Sequence, residues 1–137
     1  MLQIETISDA YSFHSYDKDS ARLIKPNRNI HTSDSTEDDF VTIDSTCLVF
    51  KDQLSQENFP QQFEHFNRQC IEILQQFDAD IFLIGTSSTT RFPDIDLLKT
   101  IKQNNIAIDF MDNGAACRTF NILTSEYRKV AALLFFK

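Results

Sequence analysis

The sequence predicts an α/β fold: a single three-layer domain over residues 1–137, with a mixed central sheet, a β-rich N-terminal third and an α-β-α-β-α-β C-terminal part. Three observations predict it. Near Phe59 the pattern changes from short apolar runs, separated by Asp, Ser and Asn clusters, to apolar stripes at helical spacing. From there helical stripes alternate with short apolar strands across short connections, as in layered α/β domains. Val130 to Phe136 is apolar at every position, which suits a strand covered on both faces. The strands before Phe59 must then extend or flank that sheet, so a mixed sheet is expected.

In chain order, Ile4 to Ile7, Tyr11 to His14, Ala21 to Ile24, Phe40 to Ile43 and Thr46 to Phe50 read as short strands. His31 to Asp39 is polar, acidic and aperiodic, and reads as a mobile surface loop. Its Asp34, Glu37, Asp38 and Asp39 lack the glycine and spacing of a calcium loop, so no metal is expected there. Phe59, Phe63, Phe66, Cys70, Ile73, Leu74 and Phe77 form one helical stripe read as core, with Asn58 as N-cap and Pro60 in the first turn. Asp78 to Asp80 ends that helix. Ile81 to Ile84 is a strand running into Gly85-Thr86-Ser87-Ser88, and Pro93 opens a helix whose Ile95, Leu98 and Ile101 face inward. Ile106, Ile108 and Phe110 mark the next strand. Asn113 reads as N-cap of the following helix, which turns Ala116, Phe120, Leu123 and Tyr127 to the sheet with Thr119 at the edge of that face.

The length fits one domain that buries about two thirds of its unfolded surface. A net charge of −7 argues against a nucleic-acid partner or an anionic membrane surface, both of which need a basic patch. Cys47, Cys70 and Cys117 are odd in number and widely spaced, which suggests neither a disulfide framework nor a zinc site. Reduced thiols in a cytoplasmic protein are the simple reading. The N-terminal residues show no secretory or transit pattern, and no apolar segment approaches the ~20 residues of a spanning helix, so no membrane insertion is expected.

Open α/β sheets bind ligands beyond the carboxyl ends of parallel strands. The chain has only two glycines, Gly85 and Gly114, and each follows an apolar strand in a loop feeding a helix. They mark either tight turns or a site, whose candidate pocket residues are Gly85, Thr86, Ser87, Met111, Asp112, Asn113, Gly114, Cys117, Arg118 and Asn121. Cys117, about one turn into its helix beside Arg118, is either a thiol of lowered pKa or a half-buried inert one. The second reading is preferred, because His14, His31 and His65 show no local pairing with it. Arg118 either holds an anionic group or pairs with Asp112 or Glu126 to fix the turn. Arg118 and Ile122 share a face away from the helix core, which marks a second packing layer or a contact surface for another chain. The run after Gly85 lacks the second Gly and Lys of a P-loop and the closing Gly of G-x-S-x-G.

IFLIGTSS followed by RFP, then MDNGAACRTFNIL and SEYRKVAALL, resembles the domain of unknown function 498 family of small bacterial and archaeal α/β proteins, to which a mitochondrial respiratory complex I assembly factor is related. Gly85-Thr86, Met111-Asp112, Ala115 to Asn121, Glu126 and Arg128 match the family pattern. Ser87 stands where the family usually has a second loop Gly, Asn113 where it has Thr, and Tyr127 where an E-G-R turn has its Gly. The resemblance covers residues 59–136 and implies a three-layer α/β fold with a mixed sheet, with no agreed reaction. It points to a non-enzymatic protein-binding or assembly-factor-like role for a respiratory or membrane complex, with a protein partner, homo-oligomerisation as an open option and no cofactor. The alternative is an enzyme or a binder of small anionic ligands, using a cleft between the Gly85 and Gly114 loops.

Overall fold

A computed structural model describes residues 9–28 and 36–137 of the chain. The strand expected over Ile4 to Ile7 and most of the acidic loop, including His31 and Asp34, lie outside the described residues. The described elements are β1 (Ser12–Tyr16), β2 (Ala21–Ile24), β3 (Phe40–Ile43), β4 (Cys47–Phe50), β5 (Gln53–Ser55), α1 (Arg68–Leu74), β6 (Ile81–Thr86), α2 (Ile95–Gln103), β7 (Ile108–Met111), α3 (Asn113–Ser125) and β8 (Val130–Phe135). Short 3-10 turns cover Glu37–Asp39 and Phe63–His65.

The central sheet has the order β5-β4-β8-β6-β7. β6 pairs in parallel with β7 and β8, while β4 pairs antiparallel with β8 and β5, so the sheet is mixed. β8 lies in the middle, which explains its unbroken apolar sequence. Its Ala131, Leu133 and Phe135 enter one core with the phenylalanine-rich segment, α1 and α2, while Val130, Ala132 and Leu134 enter the other with α3 and the antiparallel sheet β1-β2-β3. The chain crosses one face through α2 and returns across the opposite face through α3. These are the three layers, the outer one on the α3 side being part helix and part sheet. Among the described residues no helix is long and apolar enough to cross a membrane.

On the face carrying α1 and α2, both helices differ from expectation. The stripe from Phe59 to Phe77 is core, but only Arg68–Leu74 is α-helical, capped by the Asn67 side chain accepting from Cys70 N at 3.2 Å. Asn58 has φ of 74° and caps nothing. Phe59, Phe63 and Phe66 reach the core from irregular backbone and a 3-10 turn, whose three-residue repeat mimics a helical stripe over so short a distance. Phe63 and Phe66 stack at 6.0 Å and both meet Phe135 edge-on. α2 starts at Ile95 with Asp94 as cap, accepting from Leu97 N at 2.8 Å, and Pro93 lies just outside it. Leu97 and Ile101 face the core; Ile95, expected inward, is 65% exposed.

Candidate functional site

Both glycines lie at the same end of the sheet, where β6 and β7 deliver their carboxyl ends to α3. Gly85 is inside β6, paired with Met111 and Leu134, rather than in the loop after it. Gly114 belongs to the first turn of α3. Neither has positive φ; that conformation falls on Ser87, at 76°. The glycines serve close approach instead. A Cβ on Gly85 would sit 2.3 Å from Asn113 Oδ1, and one on Gly114 would sit 2.8 Å from the Tyr16 ring.

Asp112, not Asn113, caps α3: its carboxylate accepts from Ala115 N at 2.8 Å. Asn113 is already helical and buried, and it fastens three elements together. Its Nδ2 donates to Phe135 O at 2.8 Å, its Oδ1 accepts from Ser87 N at 3.1 Å, and its own N–H reaches Ser87 O at 2.9 Å. Thr86 is buried beside it, its hydroxyl 2.6 Å from Thr89 O and 3.2 Å from Met111 O and accepting from Arg91 N at 2.9 Å. Arg91 in turn donates through Nε and Nη2 to Thr86 O, with its guanidinium 5.1 Å from the Phe63 ring centroid. The loop after β6 is therefore held from both sides.

A cleft of about 260 Å³ opens at this end, lined by Ser87, Ser88, Asp112, Asn113, Gly114 and Arg118, and roofed by Tyr16 at the end of β1 with Asp17 and Lys18 of the β1-β2 turn. Of the sequence candidates, Ser87, Asp112, Asn113, Gly114 and Arg118 line it. Gly85, Thr86, Met111, Cys117 and Asn121 do not. Asn121 ties β1 to α3, accepting from Phe13 N at 2.9 Å and donating to Phe13 O at 2.8 Å. The roof was not legible in the sequence, because its residues are 69 or more positions away from the rest of the lining; their nearness is a product of how the small sheet docks. Asp17 accepts from the N–H groups of Asp19 and Ser20, each at 2.8 Å, and these bonds lower its pKa.

Arg118 pairs with neither Asp112 nor Glu126. Its Nη1 donates to the Tyr16 hydroxyl, and its guanidinium carbon lies 6.0 Å from the Tyr16 ring centroid. Cys117 is 1% exposed, and burial pushes its thiol up to about 12 against the small opposing pull of Arg118, so the lowered-pKa option is corrected. His14 lies 5.0 Å from the Phe40 ring, and His65 belongs to the segment on the other face of the sheet. In the acidic segment Glu37 takes both its contacts from Arg22 Nη2 at 2.9 Å, and Asp39 meets Arg28 at 3.2 Å. Ile122 is 57% exposed, so no second layer covers it among the described residues.

In sequence the chain is 38% identical over 90 residues to a Xenopus tropicalis protein named NADH dehydrogenase (ubiquinone) 1 alpha subcomplex assembly factor 3, covering 64% of this chain and 49% of that protein. It is 28% identical over 64 residues to a Francisella tularensis "13 kDa major membrane protein", covering 47% of this chain and 52% of that one. The chain thus spans about half the length of these curated relatives. In fold it is similar to the solution structure of a Xanthomonas campestris protein, with a TM-score of 0.72 at 21% identity over 98% of this chain and 91% of that one. The family described as "Protein of unknown function (DUF498/DUF598)" matches residues 29–135, and the chain belongs to that family.

Proposed function

We propose that this chain is a non-enzymatic protein-binding protein that acts in the assembly of a respiratory or membrane complex, and that Arg118 and Ile122 are part of its contact surface. The observation that carries the reading is Ile122, an aliphatic side chain 57% exposed one helical turn from an arginine braced on Tyr16. Ordered arginine and aromatic groups around an apolar centre are common in protein interfaces. The assembly-factor name of the Xenopus relative supports the partner class. A second reading, a binder of small anionic ligands, has the cleft and its Lys18 and Arg118 in favour; Asp17 and Asp112 on the same walls oppose it.

The test uses tagged wild type, Ile122→Asp and Arg118→Ala, purified from the cells that make the chain, with circular dichroism as the fold control. Because Ile122 is exposed, both variants should fold as wild type. Ile122→Asp should lose the wild type's bound proteins by about tenfold or more, which corresponds to ~1.4 kcal/mol, and Arg118→Ala should lose fewer. Native gels of membrane complexes from cells depleted of the chain should show a stalled subcomplex. Unchanged association in both variants, together with saturable phosphate binding in the cleft, would move the assignment to the second reading.

A further inference from the structure

We propose that the open edge of β7, together with Phe92 and Ile95, is a docking strip for an extended segment of a partner protein whose side chains alternate between apolar and basic. The inference rests on the protein-binding reading but places a second contact on a different side of the molecule from Ile122. β7 is an outer strand, paired only with β6 among the described residues. The Ala107 carbonyl takes the Phe82 N–H at 2.9 Å, so in this parallel ladder residues 107, 109 and 111 turn their backbone groups toward β6. Ile108 and Phe110 turn theirs outward. No described group pairs with them.

The two faces of this edge differ in chemistry. Ile108 and Phe110 point to the face carrying α1 and α2, where the Phe92 ring, 64% exposed, meets Phe110 at 6.2 Å. Arg68, just inside α1, reaches Thr100 of α2 at 3.3 Å, which marks the α1 side of that helix. On the helical wheel Ile95 and Leu98 fall on its opposite flank, the one away from α1. Lys102, near the far end, shares that flank. On the other face Asp109 is exposed and Asp112 follows the strand. An added strand with period-two side chains would place its apolar residues on Phe92, Phe110 and Ile95 and its basic residues beside Asp109. A second copy fits less well. Antiparallel pairing of Ile108 with Phe110 of the copy would set two Asp109 carboxylates opposite one another, at the closer cross-strand spacing.

The probe is a short peptide alternating valine and lysine, with a valine–glutamate peptide as control, added to the isotope-labelled chain. Binding should slow amide exchange at Ile108 and Phe110 by at least about tenfold, and the effect should weaken with added salt. Phe92→Ser with Ile95→Ser should abolish it; Asp109→Asn should keep weak binding and remove most of the salt dependence. Equal slowing by the glutamate peptide, or none by either, would overturn the proposal. Slowing that grows with protein concentration alone would hand the edge to a second copy instead. The Ile122 reading fails separately: its partners would survive Ile122→Asp while the peptide still protects β7.

Discussion

Asp112 and Asn113 are neighbours with similar capping chemistry, and the structure gives them different tasks. Asp112→Ala removes an exposed-end cap and should lower stability by about 1 kcal/mol. Asn113→Ala leaves the Phe135 carbonyl and the Ser87 N–H without partners in a buried place, and should cost about 2–3 kcal/mol. Asn113→Asp keeps the acceptor but sets a carboxylate oxygen against the Phe135 carbonyl, so it should cost a comparable amount rather than being neutral. Denaturant midpoints check the order. An Asn113→Asp variant as stable as wild type would mean the bond to β8 is not made. Sequence alone places a cap at this turn within one residue. It does not separate cap from strut, because the deciding partner is a backbone carbonyl 22 residues away.

At the scale of elements, the C-terminal end of α3 shows what a departure from the family pattern does. Tyr127 N donates to Thr124 O and Arg128 N to Leu123 O, both at 3.0 Å, with Tyr127 at φ of 61°. This is the Schellman arrangement, whose left-handed residue is usually glycine. The position is the one where the family pattern has Gly, so the turn keeps its form while carrying a side chain. Tyr127 is 92% exposed rather than on the sheet-facing stripe, and its ring has little packing to lose. Tyr127→Gly should therefore raise stability by about 1 kcal/mol, read as a higher thermal midpoint. A lower midpoint would show that the ring is held by a contact. Other element boundaries were legible to different degrees. Ala21–Ile24 and Phe40–Ile43 match their apolar runs, while Gln53–Ser55 is too short and polar to stand out, and the phenylalanine stripe overstated α1.

Over the whole molecule, the β6-to-β8 alternation and the central place of β8 were readable because each strand carries its own apolar signal. The floor of the cleft was readable for the same reason. Its roof was not, since it depends on how β1, β2 and β3 sit on α3, and that contact joins residues more than 100 positions apart. The joint consists of the Phe13–Phe120 ring pair at 5.2 Å, the aliphatic residues Leu23 and Ile43, and the two bonds from Asn121 to the Phe13 backbone. Removing those bonds leaves the apolar contacts in place, so Asn121→Ala should stay folded while losing about 1–3 kcal/mol. The loss should be local. Amide exchange in β1, β2 and β3 should accelerate by about tenfold or more, while β8, enclosed by both cores, changes far less. The roof of the cleft would open in the same event, because Tyr16 to Lys18 move with β1, and the Arg118–Tyr16 contact would be lost with it. Equal acceleration in β8 and β2 would mean that the small sheet and the central sheet unfold as one unit, and that Asn121 supports the whole fold rather than a joint within it.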